Sequence, residues 1–379
     1  MRKALRSCLL VTGAVTAAWT LWPGTVYSHN PTTTTVLFNR EIASLLQRKC
    51  LQCHADGKLA MPLVTYADAR PWAEAIKEES LARRMPPWPA ERGYGAFSND
   101  SGLTPREFEF LISWVDGGVP QGPGEPPVFL DHSEHWMLGT PDVVLTPASG
   151  VTVETGSAPA FERHIIDTGL TRETWVRGFD FKPGNARVTR AAFLSLASGD
   201  RYLGGWTPSS SSAELPQGVA FRLPARARIA VDVLYSGTTE TVTDIPRLGL
   251  YVASSAPAGA VSTSVLRPAM VVGPGTGARV TAELRMSSGG ALVSMRPEMQ
   301  QGGRSLELKL VRPDGSREVL LWVKHFRQDW QTPYVFRHPV ALPAGSLLQA
   351  TAYFDSSPGT SAIAPFTIAL NHYPTTSGR

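Results

Sequence analysis

The chain has 379 residues, 18% of them charged, with 34 glycines, 31 prolines and a formal net charge of +4. That length accommodates two or three domains with their own cores, and so much Gly and Pro with so little charge suits short strands and turns better than a wholly helical protein. Arg2, Lys3 and Arg6 account for three of the four excess charges, so the remainder stands near +1 and nothing in the composition points to nucleic acid or anionic lipid as a partner.

Residues 1–28 read as an export signal. Arg2, Lys3 and Arg6 form a positive leader, Leu9 to Trp22 is an apolar run too short for a membrane span, and Val26-Tyr27-Ser28 is a tolerable cleavage site. An uncleaved anchor is the other reading, and it is the one case in which the protein would touch a membrane. Either way the chain is expected outside the cytoplasm, periplasmic or otherwise exported. Cys8 falls in this segment, so Cys50 and Cys53 are the cysteines that matter.

From residue 36 to 122 the pattern predicts a small helical domain. Ile42, Leu45 and Leu46 form an i, i+3, i+4 stripe that leads into Cys50-Leu51-Gln52-Cys53-His54. CxxCH is the attachment pattern of a c-type haem: two thiols within one helical turn add to the two vinyl groups, and the histidine becomes an iron ligand. A zinc site would need a second ligand pair, and none follows. A thioredoxin-like dithiol would need a βαβ setting. Residues 66–84 predict a second helix, with Trp72, Ile76 and Leu81 facing inward and Pro71 early, where a missing N–H does least harm. The third helix is punctuated by Thr104 as N-cap, Pro105 at its first position, Glu107 completing a capping box and Gly117-Gly118 as the stop; Phe108, Leu111, Ile112 and Val115 form its apolar face.

A sixth iron ligand is sought among the methionines. Met61 lies seven residues after His54, too close to cross to the other haem face, and is assigned to the core. Met85 precedes Pro86-Pro87-Trp88, whose fixed backbone would hold a thioether in place, and is preferred as the ligand, although either methionine could simply be buried.

Residues 123–150 read as a linker, opened by Gly122-Pro-Gly-Glu-Pro-Pro127 and carrying an H-x-x-H pair, His132 and His135, without nearby partners. Beyond it, short apolar runs alternate with turns: Ala191 to Ala197, Arg228 to Tyr235, Leu248 to Ala253, Ser305 to Val311, Val319 to Val323 and Leu347 to Phe354. This rhythm predicts two antiparallel β-sandwiches, over 151–255 and 270–379, with the seam in the Gly-, Ala-, Ser- and Pro-rich stretch from Ser254 to Gly277.

Two resemblances attach to these stretches. Residues 37–125 resemble the short cytochrome c domain that precedes copper type II monooxygenase-like domains in exported bacterial proteins, through the CxxCH, Arg84-Met-Pro-Pro-Trp88, Phe97-Ser-Asn-Asp100, Leu103 to Glu107 and Trp114 to Gly122. That resemblance implies the methionine of the MPPW stretch as distal ligand. The β region looks like the tandem jelly-roll core of peptidylglycine α-hydroxylating monooxygenases, through Trp136 to Asp142, Leu234 to Gly237, Leu248 to Tyr251, Pro313-Asp-Gly315, Trp330-Gln331 with Tyr334, Leu342 to Gly345 and Phe354 to Ser357. The family's five copper-binding histidines would correspond to Thr189, Arg190, Leu234, Glu298 and Gln300, which do not supply what copper(II) requires, so copper is not expected.

The expectation is therefore a multidomain chain, an all-α cytochrome c domain followed by all-β tandem jelly-roll sandwiches. It would be an exported electron carrier with one covalent haem c on Cys50 and Cys53, iron held by His54 and Met85, and a β region that docks or binds a ligand. An active copper monooxygenase relayed by the haem is the alternative. A redox partner protein is implied, and its identity is not readable in the sequence.

Overall fold

The computed structural model describes residues 34–131, 135–199, 201–210, 214–268, 278–355 and 365–375. The expected signal, His132 and the turns at 273–275 and 357–359 lie outside these residues.

The helical expectation for residues 36–122 needs correction. The helices are short: α1 (Ala43–Lys49) after a wider turn at Phe38–Ile42, α2 (Tyr66–Ala69), α3 (Ala73–Leu81) and α4 (Pro105–Asp116). They are set among turns and extended chain, and the protein as a whole is predominantly β, so no all-α cytochrome c domain is formed. Prolines are one reason. Pro71 turns Arg70–Trp72 into a 3-10 segment and breaks the predicted 66–84 helix, and Pro86, Pro87 and Pro89 keep the chain out of helix beyond α3. The break resets the helical phase, so Trp72 and Leu81, expected inward, are exposed at 45% and 54%. Capping behaves as the residues dictate. Thr104 and Glu107 exchange side-chain and backbone hydrogen bonds at the start of α4, and Thr65 and Asp68 do the same for α2. Phe38, Ile42, Leu45, Leu46, Leu111 and Trp114 bury together as a local core. No helix among the described residues is long and apolar enough to cross a membrane.

The first sandwich contains β1 (Val143–Leu145), β2 (Val151–Val153), β3 (Ala160–Asp167), β4 (Thr174–Lys182), β5 (Thr189–Leu196), β6 (Tyr202–Trp206), β7 (Val219–Leu223), β8 (Arg228–Tyr235), β9 (Val242–Asp244), β10 (Arg247–Val252) and β11 (Gly259–Ala260). One sheet runs β1-β10-β4-β7-β11 and the other β3-β8-β5-β6, with β2 paired to β9 beside them. Val176, Phe179, Phe181 and Leu250 of one sheet share a core with Ile166, Leu194, Val231 and Val233 of the other.

The second sandwich contains β12 (Ser262–Leu266), β13 (Arg279–Arg285), β14 (Gly290–Met299), β15 (Gly303–Val311), β16 (Arg317–Val323), β17 (Tyr334–Leu342), β18 (Leu347–Phe354) and β19 (Phe366–Pro374). Its sheets run β12-β19-β14-β17 and β13-β18-β15-β16. Leu306, Leu308 and Leu310 alternate inward along β15, as a half-exposed strand requires. The run in β5 does not alternate, because both of its faces are covered: Ala192 and Leu194 face the first core, while Ala191 and Phe193 pack with Tyr202, Leu234 and Ala369 between the sandwiches.

Two connections are more than tethers. Residues 136–145 dock on the first sandwich: the Met137 N–H donates to Asp180, the Tyr251 hydroxyl donates to the Gly139 carbonyl at 2.7 Å, and β1 pairs with β10. Residues 86–102, between α3 and α4, form a strap along the second sandwich. The Glu91 N–H donates to the Trp322 carbonyl at 2.7 Å, and the Ser98 N–H donates to the Val335 carbonyl at 2.8 Å. Ala90 and Phe97 belong to the second sandwich's core, and Trp88 packs against it. Gly95 is required here. Its φ is +70°, and a Cβ would stand 2.4 Å from the Leu320 carbonyl oxygen.

Candidate functional site

Helix α1 delivers the CxxCH stretch. The Cys50 N–H still donates to Leu46 at 2.8 Å, after which the Cys53 and His54 N–H groups donate to the Cys50 carbonyl at 3.0 and 2.9 Å. The motif is thus a tight turn leaving the helix end. Residues 60–63 fold back on it: the Ala60 N–H donates to the Cys53 carbonyl and the Leu63 N–H to the His54 carbonyl. Both cysteines are free and half-buried. Burial pushes each thiol up to about 12, with the neighbouring Cys53 adding to the effect at Cys50. They are therefore protonated thiols at neutral pH, the reverse of the depressed values that drive disulfide exchange.

His54 is held by its Nδ1, 3.0 Å from the Met61 carbonyl oxygen. A carbonyl only accepts, so the proton sits on Nδ1 and Nε2 keeps its lone pair. Burial lowers the ring's pKa, which favours the neutral, ligand-competent form. This is the orientation by a backbone carbonyl that metal-binding histidines generally show.

Met85 arrives from the end of α3. Arg83 adopts a left-handed conformation (φ 56°) that stops the helix, and the Arg84 and Met85 N–H groups both donate to the Glu79 carbonyl, at 2.9 and 3.2 Å. Arg84 returns two 2.7 Å bonds to the Glu79 carboxylate, which hold that carboxyl below its ordinary range. On the far side Pro86 and Pro87 lead directly to Trp88, whose ring lies 5.3 Å from Tyr334 and 5.8 Å from Phe97.

These residues meet in one cavity of about 260 Å³, where Cys50, Cys53, His54 and Met85 share a predominantly apolar lining with Trp72, Ile76, Leu103 and Leu111. Met61 also lines it and is 39% exposed, so it is a wall residue and not the core residue expected from sequence; its carbonyl is committed to His54. Met85 is 40% exposed there. Three features have no local signature in the sequence. Ser209, from the loop after β6, closes one side of the cavity. Arg190 on β5 lies close enough to Cys53 to oppose the rise of its pKa. Trp114, fully buried beneath the cavity's helices, donates from its Nε1 to the Pro120 carbonyl at 3.1 Å.

The donor set suits a flat apolar group with a metal at its centre. Two free thiols, an imidazole whose Nε2 is left without a proton and a thioether share one wall, and the remaining surface is largely hydrocarbon.

Two β-region histidines are engaged elsewhere. His164 Nε2 is 3.2 Å from the Tyr235 hydroxyl, which donates to Asp244 at 2.7 Å, and His372 Nε2 is 2.8 Å from the Ser264 hydroxyl. Among the sequence-matched copper positions, Thr189 donates to the Asn185 carbonyl, Leu234 packs between the sandwiches, and Glu298 is paired with Arg296.

No family model matches the chain, and neither does any curated protein. Among solved structures it is similar to the major capsid protein P2 of bacteriophage PM2, with 10% identity over 62% of this chain and 98% of that one at a TM-score of 0.25. It is also similar to allantoicase, with 11% identity over 59% and 83% at 0.17, and to the tandem CBM22-1-CBM22-2 domains of Paenibacillus barcinonensis Xyn10C, with 10% over 63% and 100% at 0.14. The resemblance to cytochrome-linked copper monooxygenases is thereby corrected. Its helical half does not form as an all-α domain and no family match supports it, so the copper correspondence that depended on it is withdrawn as well.

Proposed function

We propose that the protein is an exported c-type cytochrome that carries electrons through one haem, with its β region serving as a docking or ligand-binding module for a redox partner protein. Cys50 and Cys53 would attach the haem, and His54 and Met85 would ligate its iron. The group supplies one-electron chemistry between Fe(II) and Fe(III), and a thioether ligand favours Fe(II) and raises the potential.

One observation carries the reading: a single apolar cavity collects the CxxCH turn and Met85, which stand 31 residues apart and come from different helix ends. The tautomer of His54 adds to it, since Nε2 is the nitrogen left for iron. Export belongs to the same reading, through the leader-like residues 1–28 and the attachment of c-type haem outside the cytoplasm.

The test is a pyridine haemochrome assay on protein expressed with a c-type maturation system. One covalent c-type haem per chain is expected. Haem removable by acid-acetone, or none at all, would overturn the proposal.

A further inference from the structure

A second and larger cleft, of about 640 Å³, is also lined by the CxxCH turn. Gln52, inside the motif, lines it together with Gly57 and Lys58, and the facing wall is the Pro183–Ala186 turn and Trp206 of the first sandwich. Ser209 lines both cavities, so a molecule in the larger one would be one side chain away from the smaller.

Four basic side chains reach this cleft from separate elements: Arg48 from α1, Lys58 from the turn, Lys182 from β4 and Arg247 from β10. Three acids, Asp56, Asp131 and Asp180, leave the lining with one net positive charge. The two lysines are engaged: Lys58 pairs with Asp131 at 3.1 Å, and Lys182 lies 4.6 Å over the Trp136 ring. Asp180 accepts the Met137 N–H. Arg48 is ion-paired and hydrogen-bonded at 3.5 Å to Glu107, which is outside the cleft, and its side chain is 59% exposed. Arg247 is exposed and makes no ion pair among the described residues. One guanidinium thus comes from the helical segment and the other from the first sandwich.

We propose that this cleft binds a small organic dianion, with one oxyanion group taken by Arg48, the other by Arg247, and the carbon skeleton against Trp206. A guanidinium fork matches carboxylate and phosphate oxygens two at a time, and two forks on separate walls select a ligand with two such groups. That the ligand would lie beside a redox centre rests on the haem reading; the anion binding itself does not.

The test is calorimetric titration of the full-length protein with succinate and with glutarate, whose two carboxylates differ in spacing by one methylene, and with acetate as the single-charge control. Saturable binding of one or both of these dianions is expected, and their relative affinity identifies the spacing that the two arginines select. Acetate should bind more weakly. Arg48→Gln and Arg247→Gln should each weaken the dianion roughly ten- to a hundredfold, the loss of one charge-assisted contact. Both side chains are solvent-facing, and circular dichroism would verify that each variant folds. No saturable binding by either dianion, or an affinity unchanged in both variants, would overturn the proposal. Binding in protein that carries no covalent haem would retain it and discard the haem reading, whereas haem-loaded protein that binds neither dianion would do the opposite.

Discussion

Truncating Trp88 tests whether the strap ties the helical segment to the second sandwich. Its half-buried ring makes edge-type contacts with Tyr334 and Phe97, both members of or packed into the second sandwich's core. A fully buried Trp→Ala change costs about 3–5 kcal/mol. Half that figure suits a half-buried ring, and the two aromatic pairs contribute about 0.5–1.5 kcal/mol each within it, so Trp88→Ala should cost about 2 kcal/mol. The loss should be local, because the strap's hydrogen bonds depend on the anchor more than either sandwich does. Hydrogen exchange at the Glu91 and Ser98 amides, which donate to Trp322 and Val335, should then accelerate about thirtyfold under conditions where opening is a rapid pre-equilibrium. Trp88→Phe should restore most of the protection. Unchanged exchange at both amides in Trp88→Ala would refute the idea that this ring anchors the strap.

Other consequences are more direct. In haem-loaded protein, Met85→Ala should abolish the weak near-infrared band of methionine–iron bonding and lower the potential, whereas Met61→Ala should leave both unchanged. Gly95→Ala should destabilise the chain, measured by chemical denaturation, since a Cβ there meets the Leu320 carbonyl in a backbone conformation that suits glycine. Thr104→Ala should cost about 1 kcal/mol by removing the N-cap of α4, and Thr104→Ser should recover it. Burial holds the His372 pKa below its ordinary 6.5, so the unfolded chain takes up this proton first as pH falls. Stability should therefore decline from pH 6.5 toward the lower native value, and His372→Gln should flatten that part of the profile of melting temperature against pH.

Local chemistry was the legible part of the sequence. The stretches Arg228–Tyr235 and Leu347–Phe354 are strands with those bounds, because their apolar content and flanking turns are decided within a few residues. The same holds for α4, whose start is written in Thr104, Pro105 and Glu107. Met85 and the CxxCH turn line one cavity. The strap was illegible for the opposite reason: Ser98 pairs with a strand 237 residues further on, and periodicity carries no signal for such a contact. The family resemblance misled through the same locality. Trp114 to Gly122 contains a Gly117-Gly118 helix stop, and Pro313-Asp-Gly315 and Leu342-Pro-Ala-Gly345 are turns between strands. Any chain that must end a helix or reverse a strand draws on these residues, so their agreement reflects shared turn chemistry more than shared ancestry.

The strap also changes what the β region contributes to the site. Met85 is fixed on one side by the end of α3, through Arg83, the Glu79 carbonyl and the Arg84–Glu79 bonds. On the other side it is three residues from Trp88, which the second sandwich holds. Two prolines occupy the intervening positions, and their restricted backbone transmits the position of the anchor to the methionine instead of absorbing it. Ser209 adds a wall from the first sandwich. The lining thus comes from the helical segment and Ser209, and the second sandwich bears on it through Trp88. On the proposed function, anything that displaces the second sandwich relative to α3 acts on the Met85 side of the cavity, while the CxxCH turn, cored with α1 and α4, stays where it is.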